Sequence, residues 1–235
     1  MLKRLFFIFL LISGGIAAVA FFFWQQATQL PSWYSESSTP NNQLVSNKTK
    51  EIQQAKELVW HKVTNQLREP TKKQEVKLDE QEINTLFLAE ITDKTDGSKL
   101  ASAVKATNTK IQDDKIEMGA IIDFSNLPNE QLQAGERATI AKIIKQVPSI
   151  AERPVYIGFE GKPQVNKRQI SLDKTTRIKV GNISLTPKEI SQRLGIPEET
   201  LLKHIESELN FLPMEVDSAQ ILGGKLVVKG SGTAW

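Results

Sequence analysis

Twenty consecutive residues near the start, LFFIFLLISGGIAAVAFFFW from Leu5 to Trp24, carry no charge. As a helix the run spans roughly 30 Å at about 1.5 Å per residue, the hydrocarbon thickness of a bilayer. About a dozen of its side chains are Leu, Ile, Phe or Val, each favouring insertion by about 0.3–0.6 kcal/mol near the bilayer centre. Their sum predicts a transmembrane helix. Lys3 and Arg4 precede the run, and no Lys or Arg follows it until Lys48. The positive-inside rule therefore predicts a cytoplasmic N-terminus and an extracytoplasmic remainder. Trp24, Trp33 and Tyr34 suit the aromatic belt at the outer headgroups.

A cleaved signal peptide is the competing expectation, because Ala18-Val19-Ala20 satisfies the small-x-small cleavage rule. The chain would then be secreted after cleavage near Ala20. The apolar run continues through Phe21-Phe22-Phe23-Trp24, which favours a retained anchor. Both readings export the remainder of the chain. The chain has no Cys, so disulfides, thiolate metal sites and Cys nucleophiles are excluded. Burial has to stabilise the folded part. Without Lys3 and Arg4, 28 basic residues face 27 acids, a net of +1. A part so balanced has no global electrostatic attraction for nucleic acid.

Composition divides the chain into four. Residues 1–24 read as the cytoplasmic tip and anchor. Residues 25–47 are polar with two prolines and read as a linker. Residues 48–69 read as a juxtamembrane helix, with Ile52, Ala55, Val59, Val63 and Leu67 on one face and Pro70 as its stop. Residues 70–235 read as an extracytoplasmic domain of mixed elements. Lys99–Ile111 and Lys115–Phe124 flank Gln112-Asp113-Asp114 and predict a hairpin. Ala134–Val147 predicts an amphipathic helix stopped by Pro148. Val155–Glu160, Gln169–Leu172 and Arg177–Leu185 predict strands, with a turn at Gly161. Val216–Leu222 and Lys225–Gly230 flank Gly223-Gly224, a strong hairpin signal.

Two stretches share a pattern, VKLDEQEINTLF from Val76 and ISLTPKEISQRL from Ile183. Each runs extended to a Leu and then starts a helix with a capping box, Asp79 with Glu82 and Thr186 with Glu189. Leu78 with Ile83, and Leu185 with Ile190, are spaced as hydrophobic staples. Pro187 takes the first helical position, where its missing N–H costs nothing. A hairpin comes after each unit. The expected fold class is therefore α+β: antiparallel hairpins packed with amphipathic helices behind one N-terminal transmembrane helix, with the two units either a pseudo-duplication or a coincidence of a common helix-start signal.

Residues 186–210 also imitate a helix-turn-helix, with Gly195 in the turn. Charge argues against DNA. The would-be recognition helix carries Glu198, Glu199, Glu206 and Glu208 against Lys203. DNA readers gather Lys and Arg, because phosphate neutralisation supplies most of their affinity. Acids in a first turn also complement the helix dipole.

Chemistry-bearing residues are sparse. His61 and His204 are the two histidines; His204 and Glu208 share a helix face without the further ligands that a metal needs. Asp93, Asp96 and Gly97 lack the alternating acids and closing Glu of a calcium loop. Gly-rich phosphate loops and G-x-S-x-G are absent. No catalytic residue, cofactor or metal is expected. One basic stretch stands out: Lys162, Lys167, Arg168, Lys174, Arg177 and Lys179 against Asp173. It can meet anionic headgroups at about 1 kcal/mol per basic residue close to the surface. As a solvated hairpin face it has a simpler reading.

RIKVGNISLTPKEI, NFLPMEV and ILGGKLVV, with VKLDEQEINTLF earlier, resemble the YpmS-type family of membrane-anchored extracytoplasmic proteins. These motifs cover about a third of the chain. Gly195 and Pro197 break the single helix of the family pattern into two. The resemblance implies an architecture and a compartment, and no reaction. The expected function is a membrane-anchored, extracytoplasmic, non-enzymatic binding module of the cell envelope. Its partners are the bilayer and a ligand, either lipid or another envelope protein, with no nucleic acid. A structural or assembly factor working through protein–protein contacts is the alternative, and helix-turn-helix DNA binding is the least favoured.

Overall fold

The computed structural model describes residues 26, 29–34, 49–66, 74–93, 103–127, 137, 141, 144, 151–195, 197–209, 212 and 214–232. The expected membrane span at 5–24 lies outside the described residues. So do 94–102, with most of the calcium-like turn. Of the helix expected over Ala134–Val147, Arg137, Ala141 and Ile144 are described, and each is helical. Among the described residues, no helix is long and apolar enough to cross a membrane.

Helices and antiparallel sheets make up the fold, an α+β architecture. In chain order the described elements are α1 (Thr49–Gln66), β1 (Gln74–Leu78), α2 (Glu80–Asp93), β2 (Val104–Gln112), β3 (Lys115–Ile122), β4 (Val155–Gly161), β5 (Pro163–Asn166), β6 (Gln169–Leu172), β7 (Arg177–Val180), β8 (Ile183–Leu185), α3 (Pro187–Leu194), α4 (Glu198–Leu209), β9 (Met214–Leu222) and β10 (Lys225–Gly232). A short 3₁₀ turn, Phe124–Asn126, comes after β3.

Among the described residues, three sheets result. The largest has the order β2-β3-β4-β7-β8, a second is β1-β10-β9, and β5-β6 is a two-stranded ribbon. Every pairing is antiparallel. Both capping boxes form. The Asp79 N–H donates to Glu82 Oε2 at 3.0 Å, and the Glu82 N–H returns to Asp79 Oδ1 at 2.9 Å. At α3, Thr186 and Glu189 repeat the exchange behind Pro187, and Gly195 ends the helix at φ 66°. A left-handed residue there closes the last turn at little cost to glycine.

One core joins the sheets. It collects Val59 and Val63 from α1, Leu86 and Phe87 from α2, Met118 and Phe159 from the large sheet, Ile205 and Leu209 from α4, and Leu226 and Val228 from β10. Helix α4 thus spends its apolar side on the core, and its exposed side chains include Glu198, Glu199 and Lys203.

Two differences from the sequence expectation have clear causes. Arg177–Leu185 is two strands, because Gly181 at φ 57° turns the chain with Asn182. Gly161 closes β4 and leads through Lys162 into β5, which a strand count based on long apolar runs passes over.

Candidate functional site

Alternation gives the large sheet two unlike faces. Ile116, Met118 and Phe159 point into the core. The register places Glu117, Gly119 and Ile121 of β3 beside Glu160, Gly158 and Tyr156 of β4 on the outer face, with Arg177 and Lys179 of β7 next in line.

Gly119 and Gly158 are directly paired, and together they leave a bare trough. The Tyr156 ring lies in it. A Cβ on Gly119 would fall 2.5 Å from the Tyr156 hydroxyl, and one on Gly158 would fall 2.7 Å from that hydroxyl and from the Met118 carbonyl. Neither glycine is replaceable without moving the ring. The hydroxyl donates to Glu117 Oε1 at 2.8 Å. Glu117 Oε2 in turn meets Lys179 Nζ at 2.6 Å, Lys179 reaches Glu160 Oε2 at 2.7 Å, and Lys115 reaches Glu160 Oε1 at 3.0 Å. Two lysines and two glutamates therefore neutralise one another across three strands.

The surroundings shift three of these groups, Tyr156, Glu160 and Lys179. Burial, then the Glu117 charge, pushes the Tyr156 phenol well above its ordinary value. The hydrogen bond from Lys179 lowers Glu160 against the opposing effect of burial. Desolvation pulls Lys179 down, but its bonds to Glu117 and Glu160 outweigh that and raise it. Tyr156, Glu117, Lys179, Glu160 and Lys115 thus make one connected structural network. A shallow cleft of about 270 Å³ beside it is lined by Lys110, Gln112, Asp113, Lys115, Glu117 and Glu160.

The trough has a cover. Leu30, Trp33 and Tyr34 pack on Ala106, Ile121 and Tyr156. Trp33 meets Tyr156 edge-on, with ring centroids 5.9 Å apart, and Tyr34 edge-on at 6.1 Å. Beyond the rings, the Asn182 N–H donates to the Gln26 carbonyl at 2.9 Å, and Asn182 Nδ2 donates to Gln29 Oε1 at 2.7 Å. Gln26 and residues 29–34 thus form a strap that runs from the β7–β8 turn across β4 to β3 and β2. Of the polar stretch 25–47, Gln26 and residues 29–34 are described and meet the domain, while 35–47 lie outside the described residues. Trp33 and Tyr34 are half-buried against the sheet, so their apolar faces are turned to protein.

The basic residues singled out in the sequence do not form one patch. Lys179 is in the outer-face network, and Arg177 lies 3.9 Å from Glu189 at the cap of α3. Lys162 pairs with Asp114 at 2.6 Å at one end of the sheet. Arg168 pairs with Glu215 at 2.7 Å and Asp217 at 3.8 Å, against β9. Lys167 and Lys174 are exposed on separate turns. Four of the six charges are answered by carboxylates that sequence spacing does not bring near.

Among the described residues, no group of three or more His, Asp or Glu is placed to hold a metal ion. A second concavity, about 410 Å³, opens between α1 and α2 and is lined by Gln53, Lys56, Glu57, Trp60, Leu86 and Glu90. No family model, curated protein or solved structure matches the chain.

Proposed function

We propose that the protein is a single-pass, membrane-anchored, extracytoplasmic binding module of the cell envelope that works without catalysis. The observation that carries the reading is the uncharged run Leu5–Trp24 with Lys3 and Arg4 ahead of it and no base until Lys48. The strap adds support, since the chain is fixed to the domain within two residues of the end of that run. The described outer-face chemistry is a closed ion network, which suits a scaffold better than a reaction centre.

Of the two ligand classes, an envelope protein fits better than a lipid. The two concavities seen among the described residues are open and lined largely by charged and polar side chains. An acyl chain requires an apolar cavity. The acidic exposed side of α4 speaks against DNA. The likeness to the YpmS-type family belongs to the same proposal.

Internal pseudo-duplication is part of it too. Each unit is a strand, a box-capped helical segment and a hairpin. The first strand of each lies in the sheet holding the other unit's hairpin: β1 beside β10, and β8 in the sheet of β2 and β3.

In-cell cross-linking of the full chain, read with native mass spectrometry of the detergent-extracted protein, tests the ligand class. The proposal expects a discrete protein adduct and no stoichiometric lipid. A stoichiometric lipid without a protein adduct overturns the choice.

A further inference from the structure

The strap fixes how the domain meets the lipid. We infer that one end of the large sheet, the end that carries the Gly181-Asn182 turn, lies against the bilayer headgroups, while the Asp113-Asp114 end points away. The inference rests on the anchor reading above and adds an orientation to it.

Trp24 closes the uncharged run, and Gln26 is already hydrogen-bonded to the Asn182 amide. Two residues reach at most about 7 Å, at about 3.3–3.6 Å each. The β7–β8 turn is therefore within one headgroup layer of the point where the span leaves the hydrocarbon. The register says what else is at that end. Ile122 pairs with Val155, and the Gly181 N–H donates to the Tyr156 carbonyl. The chain leaving β3 at Asp123 to Asn126 and the chain entering β4 at Arg153 and Pro154 are thus neighbours of the turn. Ser125, Arg153 and Asn182 are exposed there. Ser125 Oγ is bonded to Asp123 Oδ1 at 2.6 Å and Asn182 Nδ2 to Gln29 Oε1 at 2.7 Å, so the placement of this end rests on the short reach from Trp24 to Gln26 and not on spare polar groups.

The far end is chemically different. Asp113 and Asp114 turn the chain between β2 and β3, and Lys162 is tied to Asp114. The eight residues of β3 separate the two ends, about 25 Å at about 3.3 Å per residue. The strap crosses β4, β3 and β2 near the proximal end, since its contacts are Tyr156, Ile121 and Ala106. A strap bonded at several points transmits the direction of the span to the sheet; a free linker would not. The same geometry takes Lys162 away from the headgroups.

The chain has no cysteine, so single labels are clean. Ser125→Cys, at the proximal end and outside the strap bonds, and Asp114→Cys, each in the full chain, would carry a fluorophore and be reconstituted into vesicles of phosphatidylcholine and phosphatidylglycerol. A fraction of the lipid would carry a nitroxide on the headgroup. The expected result is several-fold stronger quenching at position 125 than at 114. Adding Leu30→Ala with Trp33→Ala should undock the strap and bring the two positions together. The pair on the wild-type background decides even where the double variant fails to fold. Equal quenching at both positions, in protein that floats with the vesicles, overturns the orientation and leaves the anchor reading standing. Protein that neither floats nor is quenched overturns both.

Discussion

At the scale of single residues, Tyr156 sets the terms for its neighbours. It fills the trough over Gly119 and Gly158, bonds Glu117 and receives Trp33. Gly158→Ala forces a methyl group against the ring and the Met118 carbonyl. Overpacking of this kind costs about 1–3 kcal/mol, which a shift of the urea midpoint at unchanged slope would report. The network also predicts a stability profile with two limbs. Glu160 is lowered from an ordinary 4.5, so its contribution is present above that value and is lost as pH falls through the folded-state value. Lys179 and Tyr156 are raised from ordinary values of 10.5 and 10.0. Their contributions are complete below about pH 10 and fade as pH rises through the folded-state values. Lys179→Met should flatten the lysine's share of the alkaline limb and the part of the acid limb due to Glu160. Denaturant midpoints measured across pH check it, and unchanged limbs would contradict the network.

Elements show which parts of the fold local sequence announces. Gly223-Gly224 bends β9 into β10 with both residues at positive φ, and both capping boxes form where their spacing puts them. Those signals are local, so they survive reading one residue at a time. The β5–β6 turn is harder to see, because Lys167 and Arg168 adopt φ 50° and 63° without glycine. Left-handed backbone costs a residue with a side chain about 1–2 kcal/mol. Arg168 repays some of it through Glu215 and Asp217, whereas Lys167 is simply exposed. Lys167→Gly should therefore raise the melting temperature by about 2–4 °C per kcal/mol recovered, as calorimetry would register. The strap is the least legible element. Its composition is that of a linker, and three large side chains in a polar stretch do not say what they touch. Their partners Ala106, Ile121 and Tyr156 are far away in sequence. The six basic residues look like a group in the sequence for the same reason, since Asp114, Glu117 and Glu215 reach them only through the fold. Amide exchange tests the strap: the Asn182 N–H should lose protection in a chain starting at residue 35 and keep it in one starting at residue 26.

For the whole molecule, the α+β layering comes from amphipathic helices that cover one face of antiparallel sheets, and the largest of the core clusters among the described residues ties them together. That much is legible in period and turn chemistry. The pairing of β1 with β10 is not, because strand partners so far apart are chosen by the complete fold. The compartment belongs to this scale as well, and it rests on one uncharged run and the bases ahead of it. The most direct measurement uses Asp114→Cys in the full chain, treated in intact cells with a membrane-impermeant maleimide. The account predicts labelling before lysis, at the level seen after it. Labelling that appears only once the cells are broken would put the folded domain in the cytosol and contradict the account.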